Sequence, residues 1–300
     1  MSGESLSRIL GLGPGLVLAA VGGGGKTSLL SHLARECWEA GMRPVVLTTT
    51  THFFAPEGTG PRLGAPLLLG EAGRLKEDIE ALAGNSPITL ARARAGEAPV
   101  PGAAVPGSGF PGAAAAGAAG EAAGAAGGSE PARIRMKLRG FGAGDIEIFR
   151  DPRGAVLVEA DGSRGRPIKA PGPGEPVIPP GADIVIGIIG LDSLGAPIDE
   201  EHAFRPEILA ERVGLSAGSP IDATAAGRLA AHPEGLFRGA PEGARKIVVL
   251  NKFDLIARME KPEQIGYIIS EAACTPNGPA EAVILTTCLP SGLRVVSRFP

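Results

Sequence analysis

Four consecutive glycines followed by a lysine and two hydroxyls, Gly22-Gly23-Gly24-Gly25-Lys26-Thr27-Ser28, are the residues of this chain best suited to hold phosphate. A phosphate needs main-chain N–H groups that converge on it, and glycine permits both the φ values and the close approach. Lys26 brings a mobile charge to the terminal phosphates, and the Thr27 hydroxyl is placed to join a magnesium shell. The run departs from GxxxxGK[ST] at its first position, where Ala20 replaces glycine.

Asn251-Lys252-Phe253-Asp254 directly follows the apolar run Ile247 to Leu250. A carboxylate at the last position of NKxD accepts hydrogen bonds from the N1–H and the 2-amino group of guanine, a pair that adenine lacks. A carboxylate left without those donors in a closed site costs about 1–3 kcal/mol. Asp254 is therefore expected to select guanine, with Asn251 and Lys252 holding the base.

A third signal is Val156-Leu157-Val158-Glu159-Ala160-Asp161-Gly162-Ser163, which sets acids at the end of another apolar run. Open α/β sheets bind ligands at the carboxyl ends of their strands, where an acid can hold magnesium directly or through water. Two registers are open. Glu159 with Gly162 fits an acid-x-x-Gly pattern, whereas Asp161 stands nearer the strand tip. Asp161 with Thr27 is taken for magnesium and Glu159 for orienting water or supporting the metal from behind, so Lys26, Asp161 and Glu159 form the expected catalytic set. Thr48-Thr49-Thr50-Thr51-His52 ends a further apolar run and offers hydroxyls to the same edge, although threonine is also a good strand residue. Arg164, Arg166 and Lys169 offer charge to a transition state or are solvated loop charges. His202 and Arg205, beside Glu200 and Glu201, read better as a surface salt-bridge cluster than as a mobile switch or a second ligand site.

The elements that must position these residues are short. Leu16 to Val21, Pro44 to Leu47, Ala155 to Val158, Ile184 to Ile189, Lys246 to Leu250 and Ala282 to Leu285 read as buried strands of a mainly parallel sheet. Thr27 to Ala40 reads as a helix with Leu29, Leu30, Leu33 and Cys37 on one face and Gly41 as its stop. Strand, glycine turn, helix and strand in that order predict a right-handed crossover between parallel strands. The expected fold is a three-layer α/β/α P-loop NTPase domain spanning 1–300. Residues 95–130 interrupt it. From Ala95 to Ser129 they are almost entirely Ala, Gly and Pro, with little beyond Glu97, Phe110 and Glu121, too little apolar surface to offset ordering entropy. They are expected to form a disordered insertion. Arg133, Arg135, Lys137 and Arg139 follow at strand-like spacing, as a solvated strand face.

Composition narrows the partners. With 300 residues, 29 basic against 32 acidic side chains and 4% aromatics, the chain lacks both the charge and the stacking platforms of a nucleic-acid binder. No apolar stretch approaches a membrane span, and the start, Met1 to Leu10, lacks the pattern of a cleaved signal. Cys37, Cys274 and Cys288 form no CxxC pair, which fits packed thiols in a reducing compartment. The expectation is a cytoplasmic protein that binds GTP, or another nucleoside triphosphate, with Mg2+, and contacts neither nucleic acid nor membrane.

Together, Gly-Gly-Gly-Gly-Lys-Thr, TTTTH ending at His52, Val158 to Arg164, Lys169-Ala170-Pro171, Glu175 to Pro179 and Asn251 to Asp254 resemble the selenium-dependent hydroxylase accessory proteins, also called YqeC-like. The segment Gly190 to Gly195, with His202 and Arg205-Pro206-Glu207, is similar to the same family. The resemblance implies a P-loop NTPase fold and an accessory role in maturing selenium-dependent molybdenum hydroxylases, whose members would be the clients. The insertion departs in length and leaves the chemical blocks intact. A GTPase cycle serving that maturation is the leading expectation. A kinase for a small molecule or selenium compound, with its acceptor near Glu159, Arg164, Arg166 and Lys169, is the first rival. A nucleotide-gated chaperone without hydrolysis is the second.

Overall fold

The computed structural model describes residues 4–54, 67–82, 84, 86–94, 103–104, 137–257, 261–276, 278–289 and 292–300. Its centre is a ten-stranded sheet built from β1 (Leu16–Gly22), β2 (Val45–Thr49), β3 (Leu67–Leu69), β4 (Ile88–Ala91), β5 (Ala103–Ala104), β6 (Ala155–Glu159), β7 (Ile184–Gly190), β8 (Arg245–Asn251), β9 (Ala282–Leu289) and β10 (Gly292–Phe299), in the order β10-β9-β8-β7-β1-β6-β2-β4-β3-β5. Neighbours from β9 to β3 are parallel, and the outer strands β10 and β5 add on antiparallel. The helices are α1 (Lys26–Glu39), α2 (Ala72–Leu82), α3 (Pro206–Val213), α4 (Ala223–Ala231) and α5 (Gln264–Ala273), with a short first turn at Leu6–Ile9.

Because successive strand residues point to opposite faces, β1 splits its side chains between two cores. Leu18 and Ala20 meet Leu29, Leu30, Leu33 and Cys37 of α1. Ala19 and Val21 face the layer of α3, α4 and α5, and Val17 faces α2. The result is the expected α/β/α arrangement. All six expected strands are present, most of them a residue or two longer. Gly41, at φ +91, stops α1 as expected, and its N–H bonds Trp38 O at 3.0 Å.

The additions lie mostly where the pattern was faint. β3 has three residues, and β10 is an edge strand whose half-exposed residues show no continuous apolar run. Lys137 and Arg139 lie on a strand pairing with His52–Phe54, with Leu138 buried between them; Lys137 is exposed as a solvated face requires, whereas Arg139 is half-buried with its Nε enclosed. The insertion at 95–130 lies outside the described residues apart from the backbone of β5, and so do Arg133 and Arg135. No helix among the described residues is long and apolar enough to cross a membrane.

Candidate functional site

Glycine at two positions lets strand β7 come up against the loop after β1. A Cβ on Gly24, whose φ is +83, would lie 2.2 Å from Gly190 N, and one on Gly190 would lie 2.9 Å from the Cα of Gly24. The loop is therefore wedged between the ends of β6 and β7, where the chain runs to β6 on one side of β1 and to β7 on the other. Parallel sheets place ligands in such a crevice.

The amides of the loop are not equivalent. Gly22 N–H donates to Asp161 Oδ2 at 3.0 Å, Gly23 N–H to Ile188 O at 2.9 Å and Gly24 N–H to Arg166 O at 3.1 Å. Gly25 caps α1 in the left-handed conformation with no side chain to cover the helix start. The amides of Lys26, Thr27 and Ser28 thus have no intrahelical acceptor, and they point out of the positive end of the helix dipole. Within the expected phosphate set of Gly22 to Ser28, the anion-facing end is the last one.

The two acids that sequence left in either order occupy different positions. Thr27 Oγ1 donates to Glu159 Oε2 at 2.7 Å. Glu159 is itself held by its carbonyl, which accepts the Thr49 hydroxyl at 2.7 Å. Burial pushes the Glu159 carboxyl above the usual range, opposed by the Lys26 charge and the Thr27 hydrogen bond and reinforced by Asp161. Asp161 instead faces two ammoniums: Lys26 Nζ stands 3.1 Å from Oδ1 and Lys169 Nζ 3.2 Å from Oδ2. Lys26 also donates to the Gly22 carbonyl. It reaches Asp161 Oδ1 at ion-pair distance but off the hydrogen-bond line, so that buried oxygen has no hydrogen-bond donor.

Lys169, read as either a charge for a transition state or a solvated loop charge, is fully enclosed. Its ammonium is neutralised by Asp161 at 3.2 Å and Glu175 Oε2 at 2.6 Å and donates to Gly162 O at 2.6 Å. Glu175, drawn upon earlier only for the resemblance, is the partner that makes this burial tolerable. Burial acts against its charge, but hydrogen bonds from Arg205 and Lys169 hold it below the usual carboxylate range. A lone lysine inside the apolar stretch Pro167-Ile168-Lys169-Ala170-Pro171 was the signal for such a pair, since buried lysines require one.

On the other flank, Asn251 is buried where β8 ends. Its Nδ2 donates to Gly24 O at 3.0 Å, and its Oδ1 accepts from Thr286 Oγ1 at 3.2 Å. Lys252, at φ +68, turns its ammonium onto Asp192 Oδ2 at 2.5 Å. Asp254 follows in a 3-10 turn, Phe253–Leu255, and is exposed. Asn251 thus ties the end of β8 to the glycine loop, and Asp254 follows it in the next turn. The exposure changes one step of the sequence argument: an open carboxylate carries little desolvation cost until something covers it.

Other candidates are committed elsewhere. The Thr48, Thr49 and Thr50 hydroxyls donate to the carbonyls of Leu90, Glu159 and Val177, which spends them on joining strands. His52 is exposed. His202 does pair on the surface, with Asp199 at 2.8 Å instead of Glu200 or Glu201, while Arg205 turns inward to Glu175 at 2.6 Å. Among the described residues, no group of three or more His, Cys, Asp and Glu side chains is placed to hold a metal unaided. A cation here would need oxygens from a ligand as well as from Thr27 and an acid.

The family model for the YqeC protein matches residues 18–105 and 113–207. That stretch carries the glycine loop, the threonine run, both acids, Lys169, Glu175 and Arg205, and it stops before Asn251. A curated relative from Escherichia coli (strain K12), the uncharacterized protein YqeC, is 30% identical over 239 residues, which cover 79% of this chain and 76% of that protein. No solved structure matches. With the family model covering more than half of its length, the chain belongs to the YqeC protein family.

Proposed function

We propose that this chain is a P-loop protein that binds a guanine nucleoside triphosphate with magnesium at the carboxyl edge of its sheet and hydrolyses it slowly. The observation that carries the reading is the 3.0 Å bond from Asn251 to Gly24 O, which fastens a base-reading segment to a phosphate-reading one. The amides of Lys26, Thr27 and Ser28 face the phosphates, and Lys26 exchanges Asp161 for phosphate oxygens. Asp254 and Lys252 close over the base.

The donor set suits magnesium, which prefers a hydroxyl, one carboxylate, waters and phosphate oxygens to an all-protein cage. The hydrogen bond between Thr27 and Glu159 supports assigning those two groups to the metal in preference to Asp161, the acid expected from sequence, which is opposed by Lys26 and Lys169. When bound, the metal neutralises charge on the phosphate oxygens. Around it, Thr27 would turn its oxygen inward, Glu159 would offer its carboxylate, and Asp161 would keep the lysine in reach. The wider role, as an accessory factor for selenium-dependent molybdenum hydroxylases in the cytoplasm, rests on the family resemblance.

Titration of the full chain with fluescent-labelled GTP and ATP in Mg2+ tests the nucleotide reading. Guanine preference is expected, with Lys26→Ala abolishing binding and Asp254→Asn erasing the preference. Equal affinity for both bases, or unchanged binding by Lys26→Ala, would refute it. Slow phosphate release from GTP, lost in Glu159→Gln, checks hydrolysis.

A further inference from the structure

Next to the glycine loop, three cations gather at one ring. Arg164, Lys169 and Arg205 place their charged groups 5.3, 5.3 and 4.7 Å from the Phe204 ring. Their surroundings hold too few carboxylates. Asp161 is shared between Lys26 and Lys169, and Glu175 between Lys169 and Arg205. Four cations, Lys26, Lys169, Arg205 and Arg164, therefore stand on two acids, while burial biases Glu159 toward its neutral form.

The cations are not interchangeable. Lys169 is turned into the protein, ion-paired with Asp161 and Glu175 and bonded to Gly162 O. Arg205 uses Nη1 on Glu175 and lies against Gly172, where a Cβ would come 2.7 Å from its guanidinium carbon. A guanidinium over an aromatic face keeps its in-plane N–H edge for a planar anion. Arg164 is exposed, and its residue holds φ +48, a conformation that a glycine or asparagine would adopt more easily.

We propose that Arg164 and Arg205, gathered at Phe204, form an anion site for the phosphate or carboxylate group of a second small-molecule ligand. One carboxylate, Asp161, separates this cation group from the phosphate lysine. The position beside nucleotide phosphates rests on the function proposed above, whereas the anion binding itself does not. Occupancy by an anion balances the charge excess, and it sets a second ligand close to the terminal phosphate.

Calorimetric titration of the full chain with inorganic phosphate tests this. Wild type is expected to show two classes of site, one in the glycine loop and one at Arg164 and Arg205. Arg164→Gly should weaken the second class about tenfold or more while leaving the first, with the thermal melt unchanged or raised because glycine accepts that φ. Arg205→Lys keeps the pairing with Glu175 but loses the planar fork, and should weaken the same class less. Lys26→Met should remove only the first class. Malonate that displaces phosphate from the second class assigns the ligand group as a carboxylate, and failure to displace assigns a phosphate. Intact phosphate binding in Arg164→Gly, or one class that Lys26→Met abolishes, overturns the proposal. If Lys26→Met changes nothing while Arg164→Gly removes a class, the anion site stands and the nucleotide reading falls.

Discussion

Asn251→Ala should loosen the joint between the end of β8 and the glycine loop, and the structure sets the size of the effect. Asn251 is 2% exposed, with one bond to Gly24 O at 3.0 Å and one from Thr286 Oγ1 at 3.2 Å. Each such bond contributes about 1 kcal/mol net, and a buried acceptor left unsatisfied costs about 1–3 kcal/mol. Gly24 is buried, so its carbonyl left without that donor costs about 1–3 kcal/mol and the lost Thr286 bond adds about 1, for a sum of about 2–4 kcal/mol. A domain of this size moves by about 2–4 °C per kcal/mol, which puts the loss at about 4–16 °C in a calorimetric melt. Thr286→Val should cost less, because it removes only the longer contacts, 3.2 Å to Asn251 Oδ1 and 3.4 Å to Leu250 O, and leaves the bond to Gly24 O. The two substitutions should couple by at least about 0.5 kcal/mol in a double-mutant cycle. A melt within a degree of wild type for Asn251→Ala, with additive behaviour in the cycle, would show that this joint does not hold the site together.

Glu159→Gln tests the buried acid through pH. Its folded pKa is raised by burial above the ordinary 4.5, so the native state holds that proton more tightly and stability falls as pH rises above the unfolded value. The variant, which keeps an acceptor for Thr27, should therefore gain stability over wild type on going from about pH 4.5 upward, seen in melts at stepped pH; a constant difference would remove the burial argument. Gly24→Ala should prevent accumulation of folded protein, since its Cβ meets backbone atoms of Gly190 at 2.2 and 2.4 Å, and a soluble variant with a native melt would contradict the wedge. Burial, with Glu36 beside it, pushes the Cys37 thiol up to about 12, so it should resist a thiol reagent at pH 8 until the protein unfolds, which mass spectrometry of the labelled chain reads directly.

The layered fold was legible because its signals are local. Leu29, Leu30, Leu33 and Cys37 recur at helical spacing, and Leu16 to Val21 is an apolar run before a glycine turn. The edges were not, because β3 and β10 gain their order from a neighbour and carry little pattern of their own. The glycine loop and NKxD were visible as motifs, and their union was not. Sequence gives no distance between Gly24 and Asn251; the crossovers of a parallel sheet supply it.

The same reasoning explains why the order of the two acids stayed open. Glu159 and Asp161 lie two residues apart at one strand end, so period and composition treat them alike. What separates them is which element each one meets. Glu159 ends the paired part of β6, opposite Ala20 and Thr49, and so reaches the first turn of α1. Asp161 lies beyond the pairing, where the chain has turned toward Lys169, and its two oxygens fall between two lysines. A carboxylate already opposed by two ammoniums is poorly placed to give up its charge to a third cation, whereas one facing a hydroxyl, and inclined to keep its proton, gains most from a divalent ion. Lys169 thus separates the surroundings of the two acids: its ammonium stands on Asp161 and leaves Glu159 to the Thr27 hydroxyl.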